Sequence, residues 1–157
     1  IIPWHWLPQD WTMDERFYQY DHWFENERIQ DSDVKEYYDH VTGKFDEVLA
    51  KHGYVREGHY YRVEKENEDT LVFFCHFGLE CVLVSHLLSV SPMVLWHGAC
   101  AAPSSVTTFH TEERRQGIAS FRMSSFGDIS HLYANDEPPA FAARFCETYS
   151  NDKQRHD

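Results

Sequence analysis

Residues 69–88 read DTLVFFCHFGLECVLVSHLL. Thr70 to Cys75 is a compact run of β-formers without alternation, the pattern of a strand covered on both faces in an α/β sheet. After Gly78, the residues Leu79, Val82, Leu83, His86, Leu87 and Val90 follow a helical period that stops near Ser91-Pro92. His76 therefore falls beyond the carboxyl end of a predicted strand and at the start of a predicted helix. Ligands bind there in α/β sheets, and helix N-termini there offer N–H groups to anions. Gly78 adds a backbone that can turn closely past a bound group. The competing reading is a structural histidine tied to a backbone carbonyl.

Working outward, Thr12-Met13-Asp14-Glu15 has the spacing of a capping box, and Met13, Phe17, Tyr20 and Phe24 recur at helical steps, which predicts a helix over 12–30. Asp33 and Glu36 open a second helix over 33–52. Its stripe is Val34, Tyr37, Val41, Phe45 and Val48, and Lys51-His52 before Gly53 closes it. Residues 54–56 and 59–63 flank Glu57-Gly58 as two short strands. Residues 105–109 and 118–123 read as a hairpin with the charged stretch Glu112 to Gly117 between them. A last helix is expected over Pro138 to Tyr149, and 150–157 reads as a frayed tail.

The 157 residues, 42% of them apolar and 16% aromatic, suit a single domain with its own core. The formal charge of -12 excludes non-specific nucleic-acid and anionic-membrane partners, because the overall field repels phosphate. Leu71 to Leu88 is broken by Cys75-His76, Gly78, Glu80 and Ser85-His86, so it is a poor membrane span. Cys75, Cys81, Cys100 and Cys146 show neither CxxC spacing nor the density of a disulfide scaffold, which points to a reducing cytoplasm. The start, IIPWHWLPQDW, has no initiating Met and no leader pattern, and reads as a chain entered in the middle.

The order of segments resembles the histidine phosphatase superfamily, the phosphoglycerate-mutase-like group. LVFFCHFGLECVLVSHLLSVSP is similar to that family's second catalytic histidine segment, PSSVTTFHTE to the strand that follows, and FRMSSFGDISHL to the next strand and its ending at Asp128, His131 and Leu132. The resemblance covers about Thr70 to Leu132. It implies an α/β fold, a three-layer sandwich that is incomplete here because its first strands are missing. It also implies a phosphomonoester hydrolase or phosphomutase of the phosphohistidine type, with no cofactor and no metal. His76 would be the second catalytic histidine, donating to the phosphoryl group of a small phosphorylated substrate, with the amides of Phe77 and Gly78 assisting.

The family's Arg-His-Gly nucleophile triplet occurs nowhere in these residues. The chain is thus expected to be a C-terminal portion, inactive alone. The alternative is a non-catalytic α/β interaction or regulatory module derived from the same fold. A remnant of this kind would leave sheet edges and apolar surface open, which is compatible with a homo-oligomer.

Other constellations are weaker. Asp14, Glu15, Asp21 and Glu25 read as a solvated helix face. His76, His86, His97, His110 and His131 lack local metal-ligand spacing, and His86 reads as a satisfied core or interface histidine. Trp4, Trp6, Trp11 and Trp23 suit either a lid or core packing. Ser104-Ser105 has no nucleophile-elbow pattern, and Arg114-Arg115 reads as a solvated turn.

Overall fold

A computed structural model of the chain describes residues 2–140 and Ser150. The expected helix over Pro138 to Tyr149 and the tail at 150–157 lie outside the described residues, apart from 138–140 and Ser150. The chain divides into two compact units, Ile1–Gly98 with Thr111–Arg122, and Ala99–His110 with Met123–Asp157.

The first unit opens with the short helix α1 (Pro8–Trp11). The continuous helix expected over 12–30 is not formed. In its place stand 3-10 turns at Glu15–Tyr18 and Trp23–Glu25 and one helical turn, α2 (Glu27–Gln30). The cause is a set of bonds that fold the segment back on itself. Asp14 accepts from the Arg16 backbone at 3.0 Å and from its guanidinium at 2.7 Å, and Asn26 Nδ2 donates to Asp14 Oδ2 at 2.8 Å. Arg16 Nη1 also reaches the Glu25 carbonyl at 2.9 Å. In a straight helix, residues twelve apart are separated by about 18 Å, so these contacts and a helix exclude each other. The fold-back delivers Phe17, Trp23 and Ile29 together to a buried cluster with Tyr38, Cys81, Met93 and Trp96.

Helix α3 runs Val34–Lys51 and buries Tyr38, Thr42, Phe45 and Leu49 on one face. It leads into the hairpin of β1 (Tyr54–Glu57) and β2 (Tyr60–Val63), antiparallel with Tyr54 opposite Val63. Gly58, at φ +60°, supplies the turn that an L side chain rarely adopts. Helix α4 (Phe77–Leu88) follows and ends at Ser89 in the left-handed region, and α5 (Pro92–Gly98) starts where the Ser91 hydroxyl accepts from Met93 N at 3.2 Å.

The second hairpin is longer than its sequence suggests. β3 is Val106–Arg115 and β4 is Ile118–Asp128, so Glu112 to Arg115, expected between strands, is strand. Arg122 Nη2 reaches Glu112 Oε2 at 2.7 Å across the pair, a charged cross-strand contact on a wet face. The four strands form one antiparallel sheet in the order β1-β2-β4-β3, with Tyr61 opposite Ala119. Tyr61, Ala119, Phe45, Leu49 and Tyr54 make the second buried cluster of the first unit. In the second unit, α6 (Ser130–Tyr133) follows β4, and Asp128 accepts from Ser130 N at 3.0 Å and from its hydroxyl at 2.6 Å, which holds the Asp128 carboxyl below its usual range.

The architecture is thus mixed α/β, with an antiparallel sheet. Thr70 to Cys75, expected as a strand covered on both faces, has no regular secondary structure and belongs to no sheet. No helix among the described residues is long and apolar enough to cross a membrane.

Candidate functional site

His76 is the N-cap residue of α4, with φ -116° and ψ 160°. Its carbonyl accepts the first helical bond from Glu80 N at 2.9 Å. The side chain makes no capping bond and is exposed, and among the described residues it has no hydrogen-bond or ion-pair partner. Phe77 and Gly78 form the first turn of the same helix. First-turn amides point out along the axis, a geometry that suits an anion. Glu80 stands in that turn as well, and its carboxylate opposes an anion there while stabilising the helix end.

The group that comes close to Gly78 is an indole. A Cβ added at Gly78 would stand 2.9 Å from Trp4 Cη2, and Trp96 Nε1 donates to the Gly78 carbonyl at 3.1 Å. The tryptophans of the first segment are therefore packing residues: Trp23 is 1% exposed, and Trp4 packs on Trp96 at 5.9 Å between ring centres. Cys75, beside His76, has its thiol held above the usual value by partial burial and by the Glu80 charge, so it is not an activated nucleophile.

The densest polar constellation lies elsewhere, around His86. The Tyr20 hydroxyl is 3.0 Å from His86 Nδ1, and His86 Nε2 is 2.9 Å from Asp46 Oδ2. Tyr61 donates to Asp46 Oδ1 at 3.0 Å, and Arg56 Nη1 donates both to the Tyr61 oxygen at 3.0 Å and to the His86 carbonyl at 2.8 Å. Nε2 must carry the proton to bond a carboxylate, so the neutral ring accepts from Tyr20 at Nδ1. An acid-imidazole-hydroxyl series of this kind has the outline of an activated nucleophile. Its environment argues for structure instead. His86 is buried, and burial pushes the Tyr20 hydroxyl above its ordinary value, which keeps it protonated. Arg56 meanwhile caps the C-terminal end of α4.

A neighbouring hydroxyl pair is equally closed. Ser85 Oγ spends its proton on the Val90 carbonyl at 2.6 Å, so Tyr38 donates to Ser85 at 2.9 Å. Burial raises the Tyr38 hydroxyl well above the phenolic range.

A groove of about 530 Å³ is lined by Tyr60, Glu112, Arg114, Arg115, Ile118 and Ser120 and does not include His76. Arg114 and Arg115, expected as a turn, thus end β3 beside this groove. No group of three His, Cys, Asp or Glu side chains among the described residues is placed to hold a metal ion. Sequence reasoning identifies His76, Phe77 and Gly78, which the helix start brings together. It misses Tyr20, Asp46, Arg56 and Tyr61 around His86; the one signal for them is a histidine on an apolar helix face. Compared with known proteins, the chain matches no family model, no curated protein and no solved structure.

Proposed function

We propose that the chain is the C-terminal portion of a phosphomonoester hydrolase or phosphomutase of the histidine phosphatase type, with His76 as its second catalytic histidine. One observation carries the reading: His76 caps the twelve-residue α4 with an exposed, uncommitted side chain at the helix's positive end. There its imidazole can donate to an equatorial phosphoryl oxygen while first-turn amides face the same anion. The order of segments that resembles the family, His76 with its helix, then a hairpin, then Asp128 to Leu132, supports it further. The complete fold on this reading is a three-layer sandwich with additional strands beside Thr70–Cys75.

The nucleophile is not among the 157 residues, so this chain alone does not form a phosphohistidine. A second reading, a non-catalytic module of the same descent, is favoured by the Glu80 carboxylate in the first turn and by the lack of any arginine bonded to His76 among the described residues. The coding DNA upstream of Ile1 separates the two. On the first reading it encodes Arg-His-Gly in frame within about a hundred residues, the size of one such domain, and the extended protein hydrolyses a chromogenic phosphomonoester while the present chain does not. An extended protein without activity favours the second.

A further inference from the structure

His97, on α5, sits where the first segment of the chain meets the helices behind it. Its ring stacks on Trp11 at 4.6 Å and 22°, and Nδ1 donates to the Met93 carbonyl at 2.8 Å. Nδ1 therefore carries the proton of the neutral ring. Nε2 is buried and has no partner in hydrogen-bonding geometry among the described residues, although the Pro3 carbonyl lies near the ring. A second proton would make Nε2 a donor on a buried cation with no aligned acceptor, which costs more than the face of Trp11 returns.

The segment that covers this ring is fastened by its side chains. Residues 2–13 make backbone hydrogen bonds only within 2–14: His5 to Ile2, Trp6 to Pro3, Asp10 to Leu7, Thr12 to Pro8, and Asp14 to Trp11. Among residues 2–13, Pro3 alone is buried. What holds the segment down is Trp4 on Trp96 at 5.9 Å, Trp6 on Phe17 at 5.7 Å, the Arg28 guanidinium over Trp6 at 4.1 Å, and Trp11 on His97. A segment tied in this way opens locally before the whole chain unfolds.

We propose that residues 2–13 form a strap that mild acid releases: His97 takes up its second proton when the segment lifts from α5, and the lifted state gains as pH falls. The ordinary imidazole value of about 6.5 belongs to the lifted state. The covered state has a lower one, because burial outweighs the Met93 and Pro3 carbonyls. His97 therefore supports the strap fully above about pH 6.5 and loses its hold beneath it. The elements packed against α5 carry other titratable groups: His5, Asp10, then Asp14, Glu15, Arg16 and Tyr18, and Glu80, Cys81 and His86 on α4. None of them bonds or pairs with His97, and Asp14 already holds Arg16 at 2.7 Å. Trp4 of the strap packs against Gly78, so release also clears an indole from the start of α4. Nothing in the release depends on a phosphatase activity.

Amide hydrogen exchange of the whole chain, read by mass spectrometry and corrected for the intrinsic pH dependence of exchange, tests the release. Residues 2–14 should be at least about tenfold less protected than α3, since the strap opens without the rest. Their protection should fall severalfold between about pH 7.5 and 5.5, and by no more than about tenfold, the limit set by one proton with an ordinary value near 6.5. His97→Gln keeps a donor for the Met93 carbonyl and His97→Phe keeps a ring for Trp11. Neither titrates, so each should lose that dependence, and the comparison of 2–14 with α3 in the unmodified chain stands without either variant. Protection over 2–14 equal to that of α3, protection that holds or rises as pH falls, or the same fall in a folded variant would each overturn the proposal.

Discussion

His86 on α4 and Asp46 on α3 are joined at 2.9 Å between Nε2 and Oδ2, forty residues apart in sequence. The bond ties the two longest helices through a buried ring whose other nitrogen meets Tyr20. His86→Ala leaves the Tyr20 hydroxyl and one Asp46 oxygen without their partner and opens a cavity, and should cost about 2–4 kcal/mol. Asp46→Asn keeps the shape and an acceptor, and Asp46 retains a quarter of its exposure, so the expected cost is about 1 kcal/mol. Urea unfolding measures both. A His86→Ala loss below about 0.5 kcal/mol, the level of an ordinary surface substitution, would contradict a structural role for the bond.

Two helical glycines should respond in opposite directions. Gly78→Ala drives a methyl to 2.9 Å from an indole already packed on Trp96, so it should destabilise by about 1–3 kcal/mol and alter tryptophan fluorescence. Gly43, inside α3, has nothing within 4 Å of an added Cβ. Gly43→Ala should stabilise by about 0.5–1 kcal/mol, the helix-propensity difference. Thermal melts of the pair check the signs, and equal effects would contradict the packing at Gly78.

His97 gives the fold a pH dependence of known sign. Its Nδ1 bonds the Met93 carbonyl at 2.8 Å, its ring stacks on Trp11 at 4.6 Å, and its Nε2 is buried without a hydrogen bond among the described residues. Burial holds its pKa below the ordinary 6.5, outweighing the Met93 and Pro3 carbonyls that favour the cation. As pH falls below about 6.5 the unfolded chain takes up this proton first, so the stability His97 contributes is present above that pH and declines beneath it. The difference in urea midpoint between the chain and His97→Phe should therefore shift against the unmodified chain from pH 7.5 to 5.5. A shift of opposite sign would contradict the burial argument.

The legible parts of the fold are those decided within a few residues. The stripe between Asp33 and His52 reads directly as α3, and the turn expected at Glu57-Gly58 falls one residue later, at Gly58-His59 between β1 and β2. The 12–30 segment is misread because its period is helical while the bonds from Asp14 and Arg16 to Asn26 and Glu25 are not local. Glu112 to Arg115 looks like a loop by composition, yet its charges sit on a strand with solvent beside them. Helix α5 carries a readable start, Ser91 followed by Pro92, that a search for long periodic segments passes over. Of the site, His76 at the helix start is legible from the break between β-formers and helical spacing. The partners of His86 are 66 and 40 residues away, beyond any local pattern.

The most direct measurement on the central proposal is kcat/KM for a chromogenic phosphomonoester in a protein extended upstream to the Arg-His-Gly segment that the proposal requires, with and without His76→Ala. Loss of one donor to the transferring phosphoryl group should lower kcat/KM by at least about a hundredfold with circular dichroism unchanged, since the His76 side chain is exposed and unbonded. Equal activity in the two proteins would remove His76 from the chemistry and contradict the proposal.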